Sequence, residues 1–348
     1  MQNDENGFWY PVVDKNECIN CGLCKNMCPV YGKQAEGFDL PKVYAGWNED
    51  DEMRKLSSSG GIFSEIAKFV IEKFNGVIYG AAWNEQCNVE HVRIDTVEEL
   101  KFLRGSKYVQ SLITENLYKS LEEDLNRGYV LFSGTSCQTA AVSKFADKIG
   151  KRDNLLTVGV LCHGVPTPKA WQEYLKEFCG DKRDLLVDIN MRDKTDSWYW
   201  NYVALYFEDG TKSKESYRKG IWGNSFFKNL ILRDSCYHCK FKEQIKQEDI
   251  TLGDFWAALR RKELYRYNDG RDMGVSIILL NSEKGRKIFE ELAEKFSLKS
   301  VKYSDVQREC FALKNSSSRH PHREVALNLL SKMPYSDIVR TFCPIDKK

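Results

Sequence analysis

Four cysteines near the start of the sequence have the spacing of an iron–sulfur ligand run. They are Cys18, Cys21, Cys24 and Cys28. The pattern is C-x2-C-x2-C-x3-C followed by Pro29, which is the ligand run of bacterial ferredoxins. A zinc site is the alternative, but zinc ligands more often form two separated pairs and often include histidine. The run therefore predicts a [4Fe-4S] cluster in this segment.

The fourth ligand of that cluster can be assigned in three ways. In two-cluster ferredoxins the fourth cysteine of a run binds the other cluster, and this sequence contains one such run. In the first interpretation Cys28 closes the cluster locally. In the second a distant cysteine supplies the bond, and Cys343 is a candidate because Pro344 follows it. In the third the cluster keeps three protein ligands.

A second cysteine group is distributed through the middle of the sequence. Cys236 and Cys239 form a C-x2-C pair, while Cys137 and Cys162 each follow a predicted parallel strand. Ligands of open α/β sheets bind at the carboxyl ends of the strands, so we expect these four thiols to converge on a second [4Fe-4S] cluster. A zinc site made by the same four thiolates is one alternative. The other is that Cys137 and Cys162 are small buried apolar residues. The cysteines interpreted as packing residues are Cys87, Cys179 and Cys310.

A serine- and glycine-rich stretch, residues 57–61, precedes a long apolar helix predicted over residues 60–74. Free N–H groups and the helix dipole favour an anion at such a position, so the phosphate of a nucleotide cofactor fits there. The stretch is neither a P-loop nor a G-x-G-x-x-G motif, and serines that only cap the helix are the alternative. The expected cofactor contacts are Ser58, Ser59, Gly60 and Gly61.

Two further residues are candidates for chemistry at the same site. Lys107 lies in a polar turn and is suited to hold a phosphate or the anionic pyrimidine edge of a reduced flavin; a solvated loop charge is the alternative. His163 directly follows Cys162 and is a candidate proton shuttle, although a structural hydrogen bond explains it equally well.

Alternating strands and helices must position these residues. Repeated strand–loop–helix patterns favour an α/β core with parallel strands, and residues 185–208 favour antiparallel strands. We expect a small ferredoxin-like segment followed by a larger α/β flavin-binding core. The predicted regions are a 4Fe-4S segment at residues 1–36, a linker at 37–56, the flavin and cluster-binding core at 57–281 and a mostly helical C-terminal region at 282–348.

The composition excludes several functional classes. The 348 residues carry a formal net charge of +2, which argues against a nucleic-acid platform that neutralises phosphates. No apolar run has the length of a membrane span, and the acidic, polar start is unlike a signal peptide. Twelve cysteines are too few for a disulfide scaffold, and clustered cysteines in a reducing compartment indicate metal or redox chemistry. We therefore expect a cytoplasmic protein with neither a membrane nor a nucleic-acid partner.

The sequence resembles the β-subunit family of coenzyme F(420)-dependent hydrogenases and dehydrogenases over most of its length. Two differences stand out: Ser136 replaces the proline of a TPCQ loop, and Ala257 replaces the last glycine of GDFWG. The stretch GFWYPVVDKNEC resembles the one that precedes the second of two ferredoxin runs in many members. The matching strings are CINCGLCKNMCP, SSSGGIFSEIA, RGSKYVQS, LFSGTSCQ, LCHGVP, INMRDK, SCYHCKF, DITLGDFW and GVSIILLN.

This resemblance implies an iron–sulfur oxidoreductase that contains FAD. Electrons would pass between the clusters and the flavin, which exchanges them with a small organic acceptor, and the electron donor or acceptor protein would be a ferredoxin or a partner oxidoreductase. The alternatives are an electron-transfer subunit without a substrate site of its own and a zinc-binding regulatory protein. The implied core-cluster ligands are Cys137, Cys162, Cys236 and Cys239. The implied flavin contacts are residues 58–61, Lys107, Gly134 and Thr135.

Overall fold

A large mixed β-sheet forms the centre of the protein. The computed structural model describes residues 1–31, 40–242 and 247–344. Within these residues the sheet has eight strands in the order β13-β3-β12-β11-β7-β6-β4-β5. The strands are β1 (Gln2–Asn3), β2 (Trp9–Tyr10), β3 (Lys42–Asn48), β4 (Val77–Trp83), β5 (Val89–Ile94), β6 (Val130–Thr135), β7 (Leu155–Val160), β8 (Leu186–Asp193), β9 (Tyr202–Phe207), β10 (Lys212–Ser216), β11 (Ile250–Asp254), β12 (Ser276–Leu280) and β13 (Phe296–Ser300).

Helices cover both faces of this sheet, as expected for parallel strands joined by crossover connections. The helices among the described residues are α1 (Leu23–Met27), α2 (Asp51–Leu56), α3 (Ile62–Phe74), α4 (Leu100–Leu103), α5 (Glu115–Arg127), α6 (Ser136–Lys148), α7 (Pro168–Cys179), α8 (Ile221–Phe227), α9 (Ala257–Arg260), α10 (Glu283–Glu291), α11 (Tyr303–Glu309), α12 (Phe311–Lys314), α13 (Arg323–Leu329) and α14 (Tyr335–Phe342). The predicted α/β class is therefore confirmed. No helix among the described residues combines the length and apolar character that crossing a membrane requires.

The parallel part of the sheet consists of β4, β6, β7 and β11. These strands are short and apolar because helices bury both of their faces. Leu131, Leu156, Val158 and Ile250 from them are fully buried in one hydrophobic cluster. The register of β6 and β7 pairs Thr135 with Val160, so both strands end at the same edge of the sheet. This edge carries the candidate site.

Helices α3 and α6 start at this edge for different local reasons. Gly61 precedes α3 with φ of 84°, a left-handed conformation that favours glycine. Ile66 and Val70 on its buried face have no exposed surface. Thr135 caps α6 in a capping box with Gln138, which fixes the first turn of that helix. The predicted helix over residues 60–74 thus begins two residues later than expected.

A three-stranded antiparallel sheet, in the order β10-β9-β8, lies outside the large sheet. It agrees with the antiparallel pattern predicted for residues 185–208. The last residue of β8 is Asp193, and its neighbours Arg192 and Lys194 reach the serine–glycine stretch that precedes α3. The small sheet thus supports the site from a distant part of the sequence.

The N-terminal segment packs on the core through a few defined contacts. Phe8 is buried in a hydrophobic cluster, and Trp9 exchanges two backbone hydrogen bonds with the side chain of Gln110, at 2.8 and 3.0 Å. Lys144 of α6 donates to the carbonyl oxygen of Cys28 at 3.4 Å. The predicted iron–sulfur segment therefore lies against the same helix whose first turn carries Cys137.

Two predicted boundaries differ from the structure. Residues 42–48, inside the predicted linker at 37–56, form β3, which pairs with both β12 and β13 inside the large sheet. Residues 32–39 lie outside the described part of the chain. The predicted core boundary at residue 281 is also crossed, because β13 follows it and completes the edge of the sheet beside β3. Strand β3 was predicted as part of a linker because it is buried on both faces, so its sequence does not alternate between apolar and polar residues.

Candidate functional site

Cys137 and Cys162 occupy equivalent positions at the edge where β6 and β7 end. Each lies two residues beyond a paired strand residue, Thr135 for Cys137 and Val160 for Cys162. Parallel neighbours place such positions side by side. Both cysteines are free thiols. The topology therefore brings together two cysteines that are 25 residues apart in sequence.

Cys236 and Cys239 reach the same place through the loop that follows β7. Arg233 N–H donates to the carbonyl of Val165 at 2.9 Å, which pairs this loop with the segment that carries Cys236. Gly164 makes the close approach possible, because a Cβ there would lie only 3.4 Å from the Cβ of Cys236 and 2.8 Å from a Leu232 methyl. Cys236 lies in a short helical turn over Asp234–His238, and Cys239 directly follows this turn.

The electrostatics of these thiols show that they are close neighbours. Burial, together with the neighbouring thiols of Cys137 and Cys239, raises the pKa of Cys162 to about 11. Burial and the Cys162 thiol likewise raise the pKa of Cys236 to about 12. Desolvation also raises the pKa of Cys137, whose side chain keeps an exposed part. Four thiolates in so small a space repel one another, so their ionised form calls for a positively charged ligand.

A single metal ion and a cubane cluster require different spacings of their ligand side chains. Within the described residues, no group of three His, Cys, Asp or Glu side chains is close enough to hold a single metal ion. Each cysteine of a cubane cluster binds a different iron, so its sulfurs lie further apart than those around one Zn²⁺ ion.

The N-terminal cysteines are placed differently. Three of them, Cys18, Cys21 and Cys24, are exposed, and Cys28 is half-buried. Gly22 has φ of 71° at the start of α1, which gives the bend that such a run requires. The remaining cysteines are buried or half-buried among apolar side chains: Cys87, Cys179, Cys310 and Cys343.

A cavity of about 300 Å³ opens at the same edge of the sheet. This volume is at the lower end of the range of small-molecule sites. Its walls combine the serine–glycine stretch, the polar turn at residues 104–109, and the loops after β6 and β7. Among the residues predicted to contact a cofactor or to act in catalysis, those that line it are Ser58, Ser59, Gly61, Lys107, Gly134, Thr135 and His163.

Gly60 has a different role from its neighbours. Its N–H donates to Ser276 Oγ at 3.0 Å, and a Cβ at this position would lie 2.5 Å from the carbonyl oxygen of Gly46. Gly60 therefore lets the stretch lie directly on strands β3 and β12. The residues around it, rather than Gly60 itself, line the cavity.

The cavity and the cysteine group meet at two residues. Cys162 lines the cavity and belongs to the cysteine group. Thr135 also lines the cavity, and its Oγ1 lies 3.1 Å from the Sγ of Cys137. A planar ligand in this cavity would therefore lie beside the four thiols.

Lys107 and His91 form the polar end of the cavity. Enclosure lowers the pKa of Lys107 to about 7, and its ammonium donates to the carbonyl of Arg104 at 2.9 Å. Burial lowers the pKa of His91 to about 4, so this imidazole is neutral; its nitrogens contact Ser111 Oγ at 2.5 Å and the Ser133 carbonyl at 3.0 Å. Sequence reasoning missed His91, although its place in an alternating strand pattern was a usable signal.

Two cations from the small sheet hold the serine–glycine stretch in place. Arg192 donates to the Ser58 carbonyl at 3.3 Å and pairs with Asp254 at 2.8 Å, and its side chain is almost fully buried. Lys194 donates to the Ser59 carbonyl at 2.8 Å, and burial next to Arg192 lowers its pKa to about 7. Both residues lie in the INMRDK string, to which the sequence pattern alone gave no role.

His163 is held rather than free. Its Nε2 lies 2.6 Å from Asn229 Oδ1, and its ring contacts Phe226 with centroids 4.9 Å apart. Burial lowers its pKa. This arrangement supports the structural alternative for His163 at least as well as proton transfer.

Models of known protein families match most of the described chain. The model for the carboxyl-terminal part of the coenzyme F420 hydrogenase/dehydrogenase beta subunit matches residues 128–306, and the model for its amino-terminal part matches residues 43–117. A 4Fe-4S binding domain model matches residues 11–31, which confirms the predicted iron–sulfur character of that segment. No curated protein matches this chain.

One solved structure supports the fold. It is a chain of the F420-reducing nickel–iron hydrogenase complex from Methanosarcina barkeri, studied by xenon derivatization, with a TM-score of 0.53 and 16% sequence identity. The alignment covers 88% of this chain and 91% of the other. Because the match to the carboxyl-terminal family model alone spans more than half of the sequence, the resemblance noted above is confirmed. The chain belongs to the coenzyme F420 hydrogenase/dehydrogenase beta-subunit family.

Proposed function

We propose that this chain is an iron–sulfur flavoprotein oxidoreductase. It relays electrons between [4Fe-4S] clusters and FAD, and from there to or from an organic electron carrier or substrate. Family membership supports oxidoreductase chemistry in general, and the 4Fe-4S domain supports a cluster. The presence of FAD and the route of the electrons are the parts proposed here.

The observation that carries this proposal is the shared wall between the cavity and the cysteine group. Thr135 and Cys162 belong to that wall, and Cys137 lies 3.1 Å from the Thr135 hydroxyl. A redox relay needs its carriers close together with little water between them. The cavity lies directly beside the thiols, so the chain provides such a place.

Each part of the cavity wall has a role that its chemistry supports. Ser58, in the stretch that precedes α3, would donate its hydroxyl to a phosphate, because among the described residues that hydroxyl only accepts hydrogen bonds from Ser106. The Ser59 hydroxyl instead donates to the Val275 carbonyl and holds the stretch in place. Lys107 would contribute a positive charge whose magnitude depends on pH near neutrality. Gly134 lines the cavity, and its missing side chain makes room for Gln138 and Phe132. When bound, FAD supplies two-electron chemistry and a [4Fe-4S] cluster supplies one-electron chemistry.

Helix α6 links the two predicted clusters. Cys137 lies in its first turn, and Lys144, seven residues further along, contacts the carbonyl of Cys28. Seven residues of α-helix span roughly 10 Å. Cys28 and Cys137 are thus connected through one helix, which supports a relay of electrons between two clusters. We propose that Cys18, Cys21, Cys24 and Cys28 bind the outer cluster.

We also propose a protein partner that exchanges electrons at the N-terminal segment. The segment exposes apolar side chains, among them Ile19 at 84% and Tyr31 at 76%. The family description names a beta subunit, and the similar solved chain is part of a hydrogenase complex. A ferredoxin or a partner oxidoreductase is the expected partner, and a reducing cytoplasm is the expected location because it keeps the thiols available for clusters.

Anaerobic reconstitution tests the proposal. The full chain is loaded with iron, sulfide and FAD, and then analysed for iron, acid-labile sulfide, flavin and EPR signals. The proposal predicts two clusters and one flavin in each chain. A chain that binds neither flavin nor a core cluster contradicts it. Turnover of a small acceptor by the isolated chain indicates an enzyme, whereas activity only with an added partner indicates the alternative, an electron-transfer subunit.

A further inference from the structure

Lys242 is a buried cation beside the cysteine group. The residue is only 9% exposed, and its ammonium donates to the carbonyl oxygens of Cys162 and Ala312. Within the described residues no ion pair to Lys242 is present. Burying an ammonium without a carboxylate costs free energy. Its position therefore calls for an anionic group nearby.

Arg233 is a second cation at the same group. Its guanidinium lies over the Tyr10 ring at 4.1 Å, and its backbone carbonyl accepts from the Cys236 N–H at 2.9 Å. Its Nε is buried and has no hydrogen-bond partner in the parts of the chain that the structure describes. An unpartnered buried donor of this kind indicates a missing acceptor.

The two cations act on different cysteines of the group. The charge of Lys242 favours the thiolate of Cys162, and the charge of Arg233 favours the thiolate of Cys137. Both influences oppose the larger effect of burial. Lys242 thus contacts the group beside Cys162, and Arg233 contacts it beside Cys236.

We propose that Lys242 and Arg233 are positioning residues that compensate the negative charge of the core cluster and raise its reduction potential. This inference rests on the proposed function. Four thiolates make a [4Fe-4S] site anionic, and reduction adds a further negative charge. A cation held close by stabilises the reduced form more than the oxidised form, because the reduced form carries the larger negative charge. Lys242 and Arg233 therefore make reduction of this cluster easier.

The test is a redox titration of the reconstituted holoprotein, followed by EPR, for wild type and Lys242→Met. The core-cluster signal is the one lost in Cys236→Ser. We expect Lys242→Met to lower the equilibrium constant for core-cluster reduction at least tenfold, which is 59 mV for a one-electron couple. Lys242→Arg keeps the charge and should restore most of the potential. The N-terminal cluster should keep its potential in every variant.

Two controls separate charge from structure. Lys176→Met removes a lysine from helix α7, away from the cysteine group, and should leave both potentials unchanged. Arg233→Gln removes the second charge and should also lower the core-cluster potential. An unchanged potential in Lys242→Met with a fully loaded cluster overturns the inference. If Lys242→Met does not bind the core cluster, the Arg233→Gln variant provides the test. A core-cluster potential equal to that of wild type in Arg233→Gln then overturns the inference. A wild-type protein that loads FAD but no core cluster instead contradicts the proposed function.

Discussion

Cys137 and Cys162 lie at matching positions beyond two adjacent parallel strands. Thr135 of β6 and Val160 of β7 are paired across the two strands. Cys137 lies two residues after Thr135, and Cys162 lies two residues after Val160. The register of the two strands therefore brings the segments that carry the two thiols to the same edge of the sheet. The Cys236–Cys239 pair completes the group from a segment that is held to the loop after β7 by Arg233 and Val165.

Thr135 has two roles that can be separated by substitution. It caps helix α6, and its Oγ1 lies 3.1 Å from the Cys137 sulfur. We expect Thr135→Val to lower the free energy of unfolding by about 1 kcal/mol, as for a lost N-cap, and also to shift the core-cluster potential. Thr114→Val is the matched control because Thr114 caps α5 without a cysteine nearby. Urea unfolding and EPR titration measure the two effects. Equal core-cluster potentials in Thr135→Val and Thr114→Val would contradict an effect of the Thr135 hydroxyl on the cluster.

Lys107 should make FAD binding depend on pH. Enclosure lowers its pKa to about 7, so its ammonium is charged below that pH and neutral above it. We expect the affinity for anionic FAD to fall as the pH rises from about 6 to about 8.5, and to change much less in Lys107→Met. Flavin fluorescence titration measures the dissociation constant. The control variant Lys101→Met, at an exposed lysine, should show the same pH dependence as wild type. A dissociation constant for FAD that does not change with pH in wild type would contradict a role of Lys107 in binding FAD.

The lowered pKa of Lys107 should also make the stability of the protein without FAD depend on pH. The pKa of Lys107 is lower in the folded state than its ordinary value of 10.5. Between pH 7 and pH 10.5 the unfolded chain therefore binds the proton that the folded chain has lost. Stability should rise with pH across this window through this residue, and Lys107→Met should remove that contribution. Urea unfolding at several pH values measures the free energy of unfolding. The same pH dependence of this free energy in wild type and in Lys107→Met would contradict a lowered pKa of Lys107.

The buried pair of Arg192 and Asp254 should be important for both stability and flavin binding. Its side chains approach to 2.8 Å, and Arg192 also supports the Ser58 carbonyl. Breaking a buried pair on one side leaves an uncompensated charge, so Arg192→Met should cost about 3 kcal/mol or more and weaken FAD binding. The exposed pair of Arg340 and Asp337 is the control, and Arg340→Met should cost less than about 1 kcal/mol. Similar costs for the two variants would contradict the role of burial.

The sequence was informative wherever local chemistry determined the structure. Short apolar runs followed by small polar loops predicted β6 and β7, and the cysteines after them followed from the general placement of ligands at strand ends. The serine–glycine stretch was identified because helix starts bind anions. In the structure these three loops line one cavity. Their mutual placement required only the assumption of a parallel sheet.

Other features of the fold and the site depend on contacts between residues far apart in the sequence, so local sequence patterns could not predict them. Strand β3 resembles part of a linker in the sequence because both of its faces are buried and its pattern has no period. Arg192 and Lys194 reach the Ser58 and Ser59 carbonyls across more than 130 residues of sequence. Gly60 was expected to contact a cofactor, but its lack of a side chain is used for packing on Gly46.

The most direct test of the central claim compares the iron content and EPR spectrum of Cys236→Ser with those of Cys310→Ser. Cys236 belongs to the four-cysteine group, whereas Cys310 packs against a separate hydrophobic cluster. After anaerobic reconstitution, Cys236→Ser should lose the iron, sulfide and EPR signal of the core cluster while it keeps the N-terminal cluster signal. Cys310→Ser should match wild type. An unchanged iron content and an unchanged spectrum in Cys236→Ser would contradict the account.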